Sequence, residues 1–190
     1  MVVLASRSPR REELLKKICA EFLIVPCDAE EVQDAESPTN LAVANAKLKA
    51  ETVAKNFPSD IVIGADTIVV LDGKIFGKPA DGCGAFAMLK KLAGRRHEVI
   101  TGLAIVNDGK TFTASEVTEV FFGEMSDEDI ANYVATGEPL DKSGSYALQG
   151  GMAPFIEKIH GDWANVVGLP LYRLRLLAKS AGINFFYPKS

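Results

Sequence analysis

The chain has little of what builds disulfide or metal–thiolate scaffolds: three cysteines and two histidines among 190 residues. Cys19, Cys27 and Cys83 form no C-x-x-C pair and are odd in number, which argues against a disulfide framework and fits a reducing compartment. No His/Cys cluster has zinc spacing. Long apolar runs are absent as well. Nothing approaches the roughly 20 apolar residues that span a membrane, and the first residues, Met1 to Arg7, lack the apolar core of a signal peptide. A cytoplasmic protein with no membrane association is expected. There is no excess of positive charge, since 21 Lys and Arg face 25 Asp and Glu for a net charge of −4. That balance argues against a nucleic-acid partner, but leaves room for a small anion held by a few local cations. The phosphate-binding patterns GxxxxGK[ST] and GxGxxG are both missing. So are internal repeats and low-complexity linkers.

What is present is the composition of a globular protein, 47% hydrophobic and 24% charged. Its length suits one domain over residues 1–190 with a sizeable core. The pattern is organised around Ile61 to Leu71, a β-branched and apolar run of the kind that makes a strand covered on both faces. Asp72-Gly73 then supplies a two-residue hairpin turn, and Lys74-Ile75-Phe76 the return strand. Asp66 interrupts the apolar run. An unpaired buried carboxylate costs several kcal/mol, so Asp66 needs a partner, a metal ion or a view into a cleft, unless it merely bonds the neighbouring backbone. Extending the hairpin pairing sets Thr67 opposite Lys78, which brings a lysine next to Asp66 along the ladder but onto the opposite face.

A second anomaly lies at the start. Val2 to Ala5 reads as a strand, Ser8 as the N-cap of a helix and Pro9 as its first residue. Arg10 and Arg11 then occupy the first turn, where the helix dipole disfavours cations. An anion held there by backbone N–H groups, hydroxyls and guanidinium forks removes the conflict. The alternative is a solvated basic turn. Phe22 to Val25 reads as a second strand, followed by an acidic loop, Asp28 to Glu31, that either faces a metal or is simply solvated. Ser37-Pro38 opens a helix to about Phe57 with Val43, Ala46, Ala50 and Val53 as its stripe. Lys47 sits on the margin of that stripe, to snorkel outward or reach a cleft.

Further on, Asp81 begins a helix stopped by Gly94, and His97 to Val106 and Lys110 to Phe122 read as a long antiparallel ribbon joined by Asn107-Asp108-Gly109. Ser126 to Asp129 is a capping box. Next comes a glycine-rich segment, Asp141 to Gly151, around the amide of Gln149, then a strand over Phe155 to Ile159 and a closing helix with Leu171, Leu174, Ala178 and Ala181 inward. Glycines beside Lys142 and Gln149 let backbone approach a ligand, though Gly-Ser-Tyr is also ordinary turn chemistry.

Taken together, Leu4-Ala-Ser-Arg-Ser-Pro-Arg-Arg11, Gly64-Ala-Asp-Thr67 with Gly77-Lys-Pro79, Asp141 to Gly150 and Asn165-Val-Val-Gly-Leu-Pro170 resemble the Maf proteins. These are nucleoside triphosphate pyrophosphatases historically tied to septum inhibition in bacteria. The resemblance implies an α/β fold with a twisted mixed sheet, flanking helices, two lobes about a central cleft, and a homodimer. It implies Asp66 as the catalytic aspartate, with Lys47 and Lys78 as cleft lysines. Ser6, Ser8, Arg10 and Arg11 become the phosphate-binding set, and Glu31, with Glu30 as the alternative, the acidic residue that joins Asp66 on a divalent metal, magnesium or manganese. Tyr146-x-x-Gln149-Gly150 resembles the branch that prefers dTTP and UTP, with Gln149, Arg10 and Thr67 setting base choice. Asp66 is then either a general base toward water or a metal ligand orienting it. Arg7 departs from the small residue frequent at its position, as a further phosphate contact or a solvent-facing side chain. Two other readings are a nucleotide-binding division regulator with little turnover and a housecleaning enzyme for modified purine nucleotides.

Overall fold

The structure is a computed structural model that describes residues 1–185. Its elements in chain order are β1 (Val2–Leu4), α1 (Pro9–Leu15), β2 (Leu23–Ile24), α2 (Pro38–Ala54), β3 (Ile61–Leu71), β4 (Lys74–Phe76), α3 (Gly82–Leu92), β5 (Arg96–Asn107), β6 (Lys110–Phe122), α4 (Asp127–Ala135), β7 (Ile156–His160), α5 (Trp163–Val167) and α6 (Leu171–Ser180). The fold is α/β, with a mixed seven-stranded sheet and flanking helices. Strands run in the order β2-β1-β3-β5-β6-β7, and β4 pairs with β3. β1 lies parallel to both β2 and β3, with Val3 opposite Leu23 and Val62. β4 and β7 pair antiparallel with β3 and β6. Among the described residues no helix is long and apolar enough to cross a membrane.

Local signals account for most element ends. Ser8, Ser37, Asp81 and Ser126 each cap a helix by accepting a backbone N–H two or three residues into it. Ser126 and Asp129 close the reciprocal capping box. The Asp72-Gly73 turn has φ of 50° and 74°, the left-handed pair that a tight hairpin requires. One expectation fails here. The β3–β4 ladder runs Leu71–Lys74, Val70–Ile75 and Val69–Phe76, and β4 ends at Phe76. Thr67 and Lys78 are therefore not a ladder pair, because the chain leaves the sheet before Gly77.

The chain forms two compact units. The first comprises residues 1–66, 101–116 and 168 onward, and its core packs Val3, Ala5, Ala46, Ala50, Val53, Val62, Ala104 and Val106. Here α2 lies unusually close to the strands. A Cβ on Gly64 of β3 would fall 2.3 Å from the Ala46 carbonyl oxygen, and one on Gly102 of β5 would fall 2.3 Å from the Ala42 carbonyl group. Only glycine on the strands and alanine on the helix permit that approach. Ala42, Ala46 and Ala50 are accordingly fully buried.

The second unit comprises residues 67–100 and 117–167. Its core is larger-chained, with Leu89, Leu92, Val120, Phe122, Ile130, Tyr133, Tyr146 and Met152 at its centre. The segment after α4 is built from short 3-10 turns at Glu138–Asp141, Ser143–Ser145 and Ala153–Phe155.

Candidate active site

Gly64 and Asp66 are two residues apart on β3 and so share a face of the sheet. Because Gly64 rests on α2, Asp66 faces α2 as well. Its carboxylate is buried and accepts a 2.6 Å hydrogen bond from Lys49 Nζ. The same ammonium lies 2.6 Å from Glu31 Oε1. Lys49 thus bridges two carboxylates, and the partner that a buried Asp66 demands is a lysine of α2.

The family resemblance named Lys47 and Lys78 as cleft lysines, whereas the lysine on Asp66 is Lys49. Lys47 is exposed and stands 3.8 Å from Glu51, one turn further along the same helix. The reason is the orientation of α2. Its buried positions are Leu41, Ala42, Asn45, Ala46, Ala50 and Val53, whereas Val43 is only half-buried. At about 100° per residue the buried arc centres on Lys49 and leaves Lys47 outside it. A stripe drawn through Val43 makes the two lysines equivalent. Asn45, a buried polar residue, lies on the Lys49 side of the helix. Its side chain accepts from the Val32 N–H at 2.8 Å and donates to the Val32 carbonyl at 3.1 Å. That pair of bonds ties the acidic loop to α2 beside Glu31, whose carboxylate meets Lys49.

The start of α1 supplies the positive half of the site. Ser6 is buried, and its hydroxyl accepts from the Ser8 N–H at 3.1 Å and from Arg11 Nη1 at 3.5 Å. Arg11 also donates from Nε to the Gly168 carbonyl at 2.8 Å, a contact reaching the Asn165–Pro170 motif. Burial pushes the Arg11 guanidinium below its ordinary value. Asp66 pulls it up, Arg10 presses it down and Glu31 raises it. Arg11, Asp66 and Glu31 therefore belong to one electrostatic group. Arg10 is half-buried at the head of the helix. Arg7 is exposed and paired with Asp28.

The remaining sequence candidates lie in the second unit. The Thr67 carbonyl accepts from the Ser143 hydroxyl at 3.2 Å. Lys78 is exposed in the segment after β4. Gln149 is exposed in the turn where Gly150 N–H donates to the Ala147 carbonyl.

Among the described residues no group of three or more His, Cys, Asp and Glu side chains is arranged to hold a metal. Glu31 and Asp66 are nevertheless two carboxylates already converging on one positive charge. Magnesium is commonly held by one or two carboxylates with substrate phosphates completing its shell, so this donor set fits a divalent cation arriving with a phosphate ligand.

The fold and this group define a mixed-sheet α/β protein with a carboxylate–lysine centre beside an arginine- and serine-lined turn, chemistry suited to a phosphorylated anion. The chain matches the model of the Maf-like protein family over residues 1–181, and it belongs to that family. It is 46% identical to a dTTP/UTP pyrophosphatase of Symbiobacterium thermophilum over 97% of this chain and 96% of that protein. It is 51% identical to a protein of the same name from Geobacter metallireducens over 90% of each chain. A third of that name, from Bacillus cytotoxicus, is 49% identical over 90% of this chain and 91% of its own. Among solved structures, the Staphylococcus aureus Ham1 protein aligns with a TM-score of 0.49 and 18% identity, over 81% of this chain and 90% of that one.

Proposed function

We propose that this chain hydrolyses dTTP and UTP to the nucleoside monophosphate and pyrophosphate, as a single functional domain. The observation that carries the reading is the Glu31–Lys49–Asp66 bridge beside Arg11 and Ser6, in a chain whose family relatives carry the dTTP/UTP pyrophosphatase name. Arg10, Arg11, Ser6 and Ser8 take the triphosphate oxygens, by guanidinium forks and hydroxyl donors. Asp66 removes a proton from water or holds that water in line, and the water oxygen bonds to phosphorus as the anhydride bond between the α- and β-phosphates breaks, releasing nucleoside monophosphate and pyrophosphate. Lys49, held between the two carboxylates, offers an ammonium to the charge that develops on phosphate oxygen. Magnesium or manganese, held by Glu31 and Asp66, supplies neutralisation of the phosphate charge when bound. Lys78, Thr67 and Gln149 are assigned to the substrate on the family resemblance, with Gln149 reading the pyrimidine edge through an amide that both donates and accepts. The three cysteines are free thiols, which supports a cytoplasmic location. A homodimer belongs to the same reading, and light scattering on the purified protein tests it.

The direct test of function is a panel of common and modified nucleoside triphosphates with magnesium, with products separated at early times. Pyrophosphate and monophosphate should appear together, fastest from dTTP and UTP. Nucleoside diphosphate and orthophosphate as first products would overturn the reaction. Asp66→Asn should lower kcat by about 10²-fold or more.

A further inference from the structure

The segment around Gln149 is held by side chains that base recognition itself would not require. The Ala147 N–H donates to the Tyr133 hydroxyl at 3.1 Å, and that bond is buried. Four residues on, the Gly151 N–H donates to Glu138 Oε2 at 3.0 Å. Tyr133 comes from α4 and Glu138 from the turn that follows it. The two clamps bracket Leu148, Gln149 and Gly150. Gly150 belongs to the same device, since a Cβ there would fall 2.0 Å from Glu138 Oε1. Only a glycine lets the carboxylate lie over the backbone. Beneath the segment, Tyr146 is buried, shares a 2.8 Å hydrogen bond with His97 and packs edge-on against Phe122. Gln149 itself is exposed, so its direction is set by backbone clamped on either side.

We infer that Tyr133 and Glu138 are positioning residues for base choice: they fix the Ala147–Gly151 backbone so that the Gln149 amide meets a pyrimidine in one orientation. This rests on the reading of Gln149 as the base-contacting residue. An exposed glutamine on a loose turn spends its binding energy on ordering itself and discriminates poorly, whereas a preorganised one does not.

The experiment compares kcat/KM for dTTP and UTP with that for ATP and CTP in Tyr133→Phe, Glu138→Ala, Glu138→Gln, Gln149→Ala and the double variant Glu138→Ala/Gln149→Ala. Tyr133→Phe and Glu138→Ala should each lower the preference for dTTP and UTP over ATP and CTP by about fivefold or more, the worth of one lost hydrogen bond. The loss should fall on KM for dTTP and UTP, with kcat for ATP little changed. Glu138→Gln keeps an acceptor oxygen and should restore the preference. In the Gln149→Ala background, Glu138→Ala should reduce the preference no further. Amide hydrogen exchange, read without substrate, should show faster exchange at Ala147 in Tyr133→Phe and at Gly151 in Glu138→Ala. If Gln149→Ala lowers the preference while the clamp variants leave it intact, the positioning role is overturned and the reading of Gln149 stands. If Gln149→Ala leaves the preference unchanged, the reading of Gln149 falls and the inference falls with it. A uniform loss across all substrates, with a lowered melting temperature, would make Tyr133 and Glu138 structural only.

Discussion

Lys49 has an unusual position for a lysine. Its ammonium is largely withdrawn from solvent and touches two carboxylates, one buried and one half-exposed. Removing one partner of a buried ion pair leaves an uncompensated charge and costs more than the pair contributes net. Lys49→Met should therefore lower both stability and turnover: Asp66 loses its counter-ion, and Glu31 loses the group that holds it near Asp66. A hydrogen bond to a charged group is worth about 1.5–3 kcal/mol, so kcat/KM should fall by roughly ten- to a hundredfold. Lys47→Met, on the exposed side of the same helix, should change both by less than about twofold, as expected for a surface pair. Steady-state kinetics and thermal melts of the two variants side by side decide the matter. A Lys49→Met protein that turns over as fast as Lys47→Met and the wild type would mean that the Glu31–Lys49–Asp66 bridge plays no part in catalysis. The pairing also decides what Asp66→Asn does to stability. With a lysine on the carboxylate, neutralising Asp66 leaves a cation with only Glu31 opposite it, so no stabilisation is expected.

At the scale of elements, the device that brings Lys49 to Asp66 is the close approach of α2 to Gly64. Gly64→Ala places a methyl group against the helix backbone, which has no rotamer to yield. Overpacking of this kind costs about 1–3 kcal/mol, or a melting temperature lower by roughly 2–10 °C for a protein of this size. Because the helix must lift, Lys49 withdraws from Asp66 and activity should fall further than stability alone explains. A melt and a kcat on the same preparation test this, and a Gly64→Ala variant with wild-type values for both would refute the packing argument. The same contact shows what the sequence could and could not convey. Strands β3, β4 and β6 have the bounds their residues suggest, because Asp72-Gly73 and Asp108-Gly109 are local signals that act without tertiary help. The helix caps are equally local. Asp66 and Arg11 were legible as anomalies, a charge in an apolar run and a cation in a first turn. Lys49 was not, since the rotation of α2 is set by two glycines on strands that follow it, Gly64 on β3 and the more distant Gly102 on β5. Nor was the order of the sheet, where β1 lies between β2 and β3, or α5 as a helix separate from α6. Those depend on pairing and packing over long sequence distances.

At the scale of the whole molecule, β3, β5 and β6 each contribute residues to both compact units. Neither unit is a continuous stretch of chain, and stability is best read on the intact protein. One buried group should leave a clear mark on it. His97 is 2% exposed, bonded to Tyr146 and edge-on to Phe122. Burial pushes its imidazole down to about 4, against a weaker upward pull from the Arg95 backbone. An unfolded histidine takes its proton near pH 6.5. As pH falls below that value the unfolded chain binds a proton that the folded chain refuses, so stability is lost between about pH 6.5 and 4. Above pH 6.5 both states are neutral and the contribution is constant. By pH 5 the loss from this one residue should be about 2 kcal/mol. His97→Gln keeps a hydrogen-bonding side chain toward Tyr146 and cannot titrate. Denaturant unfolding of both proteins at pH 7 and pH 5 isolates the term: the wild type should lose about 2 kcal/mol more than the variant across that interval. Equal losses would mean that His97 is protonated in the folded protein at pH 5, and that its site is more open to water than the packing of Phe122 and Tyr146 around it implies.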